Sequence, residues 1–239
     1  MRKLFVVALA FLATVPAFSQ EKSDKKKIDI NKAGDHIMLQ LGLNSLIGAP
    51  DTISSHIKGF QRSANVYLMF NKPFRGNPKM SIAFGAGIGT SNLYFKKMIV
   101  DIGASSSTLP FTSVDSAQNY KKFKLATTFL EAPLEIRYTA YPETPNKGLK
   151  LAAGIKVGTL LNAHTKAKTL RTASDATINN NTIKVASKDY FNSTRLTGTL
   201  RAGYGNFTIF GAYSFTSMFK DGVAENMNLL QVGLCISGL

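Results

Sequence analysis

Residues 149–166, LKLAAGIKVGTLLNAHTK, alternate between two kinds of side chain in steps of two. One set of positions is apolar along almost the whole stretch: Leu149, Leu151, Ala153, Ile155, Val157, Thr159, Leu161 and Ala163. The other set is small or polar and includes Lys150, Lys156 and Lys166. Because successive side chains of a β-strand point to opposite faces, this pattern predicts one long strand with an apolar face and a polar face.

The length of this strand indicates what its apolar face meets. A strand of a soluble protein usually has about 5–6 residues, whereas a strand that crosses a bilayer at a tilt needs roughly 9–11. The stretch therefore predicts a transmembrane strand, with the side chains from Leu151 to Leu161 facing lipid and the lysines facing a lumen.

Seven further stretches alternate in the same way, near 35–44, 62–71, 80–90, 124–141, 192–204, 207–219 and 227–239. The connections between them are long and short in turn, which is the asymmetry of a barrel with short periplasmic turns and longer extracellular loops. The sequence thus predicts an all-β fold, an eight-stranded antiparallel up-and-down transmembrane β-barrel at 34–239. Two of the long connections, near 92–122 and 167–190, are predicted as polar loops, the first with a short strand extension at Ile99–Ile102.

A soluble eight-stranded cup, of the lipocalin type, is the main structural alternative, and it would turn the apolar faces inward. Two patterns favour the membrane version. The polar faces at 80–90 and 192–204 consist largely of small residues with isolated charges. Aromatic residues also gather near the predicted strand ends, as an interfacial girdle requires: Phe70, Tyr138, Tyr141, Tyr204, Phe207, Phe215 and Phe219.

The first residues read as a targeting segment. Arg2 and Lys3 precede an apolar run that ends in small residues, which is the layout of a secretory signal peptide over 1–19. Residues 20–33 are rich in charge and show no hydrophobic periodicity, which predicts a flexible periplasmic lead-in. The single cysteine, Cys235, excludes an internal disulfide within one chain. Together with the barrel, these features predict the outer membrane as the location, after secretion across the inner membrane.

The segment TTFLEAPLEIRYTAY, residues 127–141, carries a resemblance to a known family. It resembles the Y-L-E-I-P-L-x-x-K-Y signature of small outer-membrane barrels of Bacteroidetes, the PorT-like group. Leu130, Glu131, Pro133, Leu134 and Tyr138 match the signature, and Phe129, Ala132 and Arg137 replace its other residues. The resemblance implies an OmpA- or OmpX-sized barrel in a Gram-negative outer membrane. Some members of the group are linked to secretion and gliding machinery. The final residue, Leu239, departs from the aromatic end common in such barrels.

Charged residues on the predicted inner faces are the main candidates for a site. The set comprises Glu131, Glu135, Arg137, Lys150, Lys156, Lys166, Arg195 and Arg201. An uncompensated buried charge is very costly, so we expect the two glutamates to pair with Lys156, Arg201 or Arg137. Such a lumen charge network fits a salt-bridged plug that holds the barrel together. An ion path through a narrow pore is the alternative.

Enzymatic patterns are weak in this sequence. Glu131 and Glu135 lie about 13 Å apart along one strand face, too far for a glycosidase pair. The three histidines, His36, His56 and His164, have no metal-ligand spacing. His164 and Ser193 both fall near the predicted outer rim, where a hydrolase of this architecture would need them, but they form no recognisable motif. We therefore predict no catalytic, cofactor-binding or metal-binding residue, and no enzyme.

The formal net charge of +15, and the positions of the basic residues, indicate anionic partners. Nine basic residues fall in the predicted extracellular loops: Lys96, Lys97, Lys121, Lys122, Lys166, Lys168, Arg171, Lys184 and Lys188. They fit the phosphates of lipopolysaccharide, and a solvated charged rim is the alternative. The lysines of 21–32 lack aromatic neighbours, which argues against nucleic acid. The sequence predicts a non-enzymatic structural or interaction component of the envelope, with envelope proteins as partners. The alternative function is a narrow channel for small solutes.

Overall fold

Strands make up nearly all of the regular structure. The computed structural model describes residues 37–114, 118–144 and 147–238. In chain order the elements are β1 (Ile37–Ile47), α1 (Asp51–Ser54), β2 (Gln61–Phe74), β3 (Asn77–Phe95), β4 (Met98–Val100), β5 (Phe111–Ser113), β6 (Asn119–Thr139), β7 (Leu149–Arg171), β8 (Thr177–Ala186), β9 (Thr194–Tyr204), β10 (Phe207–Ser214) and β11 (Asn228–Ser237). Within the described ranges, no helix is long and apolar enough to span a membrane.

Eight of these strands close into a ring. The order is β6-β3-β2-β1-β11-β10-β9-β7, and a further antiparallel pairing of β6 with β7 completes the circle. Strand β8 lies outside the ring, because it pairs with the outer part of β7. Strands β4 and β5 form a separate small sheet. The prediction of an eight-stranded antiparallel barrel is therefore confirmed.

The two faces of the barrel wall differ in polarity in the direction that a membrane requires. Leu68, Leu200 and Leu234 on the outer face expose 58%, 66% and 62% of their surface. Glutamine, asparagine, threonine and charged side chains are buried on the inner face, together with Tyr67 and Phe210. An apolar exterior around a polar interior is the pattern of a transmembrane barrel, and it is opposite to that of a soluble cup.

The two ends of the barrel are built differently. At one end, which we call the short-turn end, β2 and β3 are joined by Arg75-Gly76, and β9 and β10 by Gly205-Asn206. Gly205 has φ of 61°, which glycine adopts without strain in a tight hairpin turn. The opposite end, the long-loop end, carries the connections after β1, β3, β7 and β10. The predicted signal peptide and lead-in, residues 1–19 and 20–33, lie outside the described residues, as does Leu239.

The long-loop end is closed by apolar packing, which corrects two predictions. The connection near 92–122 is not simply polar, because β3 continues to Phe95 and the following residues bury Val100, Ile102 and Leu109. Phe219 is not part of an interfacial girdle; it is 1% exposed and packs against Phe191 with ring centroids 5.3 Å apart. Both changes follow from apolar side chains that the outer loops fold inward.

A bulge in β7 corrects a third prediction. Thr128 of β6 lies opposite Asn162, but the next residue, Phe129, lies opposite Leu160, so Leu161 is an extra residue in β7. Because strand side chains alternate with a period of exactly two, one extra residue exchanges the faces of everything beyond it. Lys166 is consequently exposed on the outer face and is not in the lumen, while Ala163 is fully buried.

The prediction of a polar loop near 167–190 is also wrong in part. Strand β7 continues to Arg171 and returns as β8, so that the two form an antiparallel arm. All ten residues of β8 are exposed. Polar residues occupy both faces of this strand, as in the run of three asparagines at 179–181. Because apolar and polar residues do not alternate there, the sequence does not predict the strand.

Candidate functional site

Glu131 of β6 is the centre of one buried cluster in the lumen. Its carboxylate accepts a hydrogen bond from the hydroxyl of Tyr67 on β2 and one from Nη2 of Arg195 on β9. Nζ of Lys156 on β7 lies 3.4 Å from the same carboxylate and donates a 3.0 Å hydrogen bond to the Tyr67 oxygen. Four strands therefore contribute to one network.

Glu135 is the centre of a second cluster, four residues along β6 toward the short-turn end. Nη2 and Nε of Arg201 donate hydrogen bonds of 2.7 and 3.3 Å to its two oxygens, in a bidentate arrangement. Nε of Arg137 donates a further hydrogen bond of 2.9 Å. Arg201 also lies 3.5 Å from the sulfur of Cys235, so the cysteine is a lumen residue beside a guanidinium.

Small residues on the inner face of β7 explain how these pairs meet. Glu131 on β6 and Arg195 on β9 both lie opposite Gly158 of β7, which has no side chain to separate them. Glu135 lies opposite Gly154 in the same way. A Cβ atom on Gly158 would be 3.1 Å from Cγ of Glu131, and one on Gly89 of β3 would be 2.7 Å from its Oε2. Glycines on both neighbouring strands therefore leave the room that the Glu131 carboxylate occupies.

The network offsets a large desolvation cost. Glu131 and Lys156 are each 2% exposed. A buried ion costs several kcal/mol unless opposite charges and hydrogen bonds compensate it. Besides its ion pair, the guanidinium of Arg195 lies 3.9 Å from the centroid of the Phe129 ring, a cation–π arrangement. The two clusters therefore rigidify the barrel wall as well as fill its interior.

Two small cavities lie among the buried charges of the described residues, and a third, of about 690 Å³, is lined by Arg137, Arg201 and Phe210 together with outer-face residues. Lys150 is buried near the short-turn end, where it lines a cavity of about 10 Å³ with Arg137, Arg201 and Ser237. A second cavity of about 10 Å³ lies beside Phe129 and Arg195. Each has room for about one water molecule. Toward the long-loop end the interior is occupied by the apolar cluster.

Tyr67 is a member of the network that sequence reasoning missed. Its position on the inner face of β2 follows from alternation, but β3 separates β2 from β6 in the sheet. Tyr67 and Glu131 both lie opposite Gly87 of β3, so that no side chain separates them across that strand. The available sequence signal was the glycine row of β3, which leaves space between those two strands.

The structure does not bring together the histidine and serine that the sequence places near the outer rim. Among the described residues, His164 and Ser193 form no hydrogen bond with each other, and Nδ1 of His164 has no hydrogen-bond partner. Nδ1 of His56 lies 2.9 Å from the backbone carbonyl of Thr52, and its Nε2 lies 3.4 Å from Oγ of Ser113. His36 lies outside the described residues. No cluster of three or more histidine, cysteine, aspartate or glutamate side chains with metal-binding geometry occurs in the described part.

These features define a transmembrane β-barrel whose lumen is packed with side chains. The model of a known family, the outer membrane protein β-barrel domain, matches residues 18–220. The chain therefore belongs to this family of outer-membrane barrels.

Two solved structures are similar to this chain. The crystal structure of Ail, the attachment invasion locus protein of Yersinia pestis, is 9% identical, with a TM-score of 0.35 over 84% of this chain and 94% of that one. Outer membrane phospholipase A from Escherichia coli is 12% identical, with a TM-score of 0.26 over 86% and 98% of the two chains. No curated protein matches the sequence.

Proposed function

We propose that this barrel is a non-enzymatic structural or interaction component of the cell envelope, of the PorT-like kind found in Bacteroidetes, that serves in a secretion or gliding complex. The filled lumen is the observation that supports a structural role and not a channel. Ion pairs around Glu131 and Glu135 occupy one half, and buried aromatic and aliphatic side chains occupy the other. A hydrated ion needs far more room than cavities of about 10 Å³ provide.

The β7–β8 arm supports a role in interaction. Strand β8 pairs with β7 along one edge, and in the described residues no strand pairs with its other edge. Its apolar side chains Ile178, Ile183 and Val185 are exposed. A free strand edge with aliphatic side chains is a surface to which another protein can add a strand. We propose this edge as the contact with a protein partner in the envelope.

A narrow channel is the second candidate. The observation that favours it is the series of cations along the lumen, from Lys150 through Arg201 to Arg195, which spans the barrel wall. The packing around these residues argues against it. Purified full-length protein in planar bilayers separates the two functions, with a porin in the same bilayers as the positive control. We expect no stable conductance steps. Reproducible steps that disappear in Glu131→Gln would replace the closed barrel with a channel.

The partner proposal needs its own experiment. A photo-crosslinking amino acid at Asn181 of β8 is expected to give a discrete protein adduct in outer membranes. The matched control places the same amino acid at Leu200, which faces lipid on β9 and should give no protein adduct. If Asn181 and Leu200 give the same adducts, or if neither gives one, the arm is not a docking edge.

A further inference from the structure

Lysines lie directly opposite one another on three neighbouring strands at the long-loop end. Lys124 of β6 pairs with Lys166 of β7, and Lys166 pairs with Lys184 of β8. Two pairs further along, on the same face, Lys122 lies opposite Lys168. We call these five residues the lysine ladder. They share the outer face of the barrel, because the bulge at Leu161 turns the β7 lysines away from the interior.

Such a ladder is unfavourable without an anion. Like charges directly opposite each other destabilise a sheet. Within the described ranges, none of the five ladder lysines forms an ion pair with a carboxylate. Partial burial, followed by the charges of Lys166 and Lys184, lowers the pKa of Lys124. The pKa of His164, two residues before Lys166 on the same face, is lowered by partial burial and by the ladder charges.

A groove of about 520 Å³ lies beside the ladder and combines positive charge with aromatic surface. Lys58, Arg62 and Lys122 line it, together with Phe60, whose side chain is 69% exposed, and Tyr94. Tyr94 pairs with Lys124, so the groove and the ladder are continuous. Exposed aromatic rings among cations suit a sugar that carries phosphate groups, since ring faces pack on the sugar and the cations neutralise the phosphates.

The height of this surface above the lipid-facing band points to the source of the phosphate. Leu161, the bulge residue, is the last residue of the predicted lipid-facing series of β7, and Lys166 follows five residues later. At a rise of about 3.3 Å per residue and a tilt of about 40°, Lys166 lies roughly 13 Å above Leu161. Long lysine stems can extend from there toward the membrane surface. This is the layer of lipid head groups and the sugars attached to them.

We propose that the lysine ladder and the adjoining groove bind the phosphate groups of the glycolipid in the outer leaflet, lipopolysaccharide. The ligand lies flat against β6, β7 and β8, with its acyl chains along the apolar wall below and its sugars at Phe60 and Tyr94. This inference needs only the outer-membrane location. It is independent of whether the barrel belongs to a protein complex.

The test uses full-length protein and vesicles that contain either phosphorylated lipid A or dephosphorylated lipid A, with inorganic phosphate as a third ligand. The variant Lys124→Gln/Lys166→Gln/Lys184→Gln removes three ladder charges. We expect its affinity for phosphorylated vesicles to fall roughly a hundredfold, or about fivefold for each lysine near an anionic surface. Wild-type protein should bind dephosphorylated vesicles as weakly as the triple variant does. Binding of inorganic phosphate alone with equal affinity would identify a free anion as the ligand and overturn the glycolipid assignment.

A matched control removes the same charge from the short-turn end, with Lys72→Gln/Lys79→Gln/Lys147→Gln. It should bind phosphorylated vesicles like the wild type. The barrel's resistance to unfolding in detergent gel electrophoresis reports whether each variant is folded. Equal loss of binding in the two triple variants would show that net charge, and not the ladder, governs binding, and the proposal would be withdrawn.

Discussion

The carboxylate of Glu131 and the guanidinium of Arg195 form an ion pair across the full width of strand β7, at the position of Gly158. The two residues belong to strands that are not neighbours in the barrel. The pair therefore connects three consecutive strands through their side chains, in addition to the hydrogen-bond ladders between their backbones.

Neutralising Glu131 is expected to destabilise the barrel strongly. In Glu131→Gln, Lys156 and Arg195 remain buried without their counter-charge, and breaking a buried ion pair costs about 3–5 kcal/mol. The free energy of unfolding, measured by circular dichroism in urea, reports the loss. Glu143→Gln is the matched control, because Glu143 is an exposed carboxylate in a short turn. Equal stability of the two variants would contradict the role given to the network.

Filling the space beside Glu131 should also destabilise the fold. A Cβ atom at Gly89 would lie 2.7 Å from Oε2 of Glu131 and force the carboxylate out of its contacts. We expect Gly89→Ala to cost about 1–3 kcal/mol, as overpacking does in other cores. In Gly211→Ala the added atom meets nothing within 4 Å, so this control should keep the stability of the wild type. If Gly89→Ala left the free energy of unfolding unchanged, the network would tolerate displacement of the Glu131 carboxylate.

A lipid-facing position distinguishes a membrane wall from a soluble one. Leu200 is 66% exposed on the outer face, so in a soluble barrel Leu200→Lys would be harmless. In a bilayer, a lysine at this position, opposite Ala153 within the lipid-facing band, should cost about 1–3 kcal/mol. Unfolding from phospholipid vesicles measures the difference. Ile178→Lys on the β8 arm serves as the control, since that side chain lies beyond the membrane band and should tolerate the charge.

His164 should make the outer end of the barrel less stable in acid. Partial burial, then the charges of Lys184, Lys124 and Lys166, hold its pKa below the ordinary value. The unfolded chain therefore takes up the proton first as the pH falls, so the wild type loses stability relative to His164→Gln below about pH 6.5. Unfolding in urea at pH 8 and pH 5 measures this loss.

The same histidine has a matched pair of lysine variants. Lys184→Gln should raise the pKa of His164, as followed by nuclear magnetic resonance of the imidazole. Lys220→Gln removes a charge that instead binds the carbonyl of Asp189, and it should leave the imidazole unchanged. An identical titration of His164 in the two variants would exclude the ladder as the cause.

Alternation was sufficient to predict the eight wall strands and the face of almost every residue in the membrane band. It succeeded because lipid outside and a crowded lumen inside impose opposite chemistry on successive positions. The bulge was not predictable, since Leu160, Leu161, Asn162 and Ala163 present apolar and small residues to both faces. Beyond it the phase of the alternation was therefore wrong, and Lys166 was assigned to the lumen.

The sequence predicts which charged residues belong to the candidate site, but it does not predict which of them pair with each other. Inward charges on 124–141, 149–166 and 192–204 follow from the pattern, and the cost of burial requires them to pair. Which residues pair depends on the relative register of the strands and on the closure of the ring, which local periodicity does not contain. Arg195 becomes evident as a partner of Glu131 only when β7 is seen to place Gly158 between them, and Tyr67 only when β3 is seen to place Gly87 there.

The extra residue at Leu161 has a consequence for how this chain can change over generations. Leu161 is the residue of β7 that has no partner on β6. Loss of this one residue would remove the bulge and restore regular alternation, while Lys166 stayed outside and Ala163 stayed inside. Related chains should therefore tolerate the loss of a single residue at this point of β7.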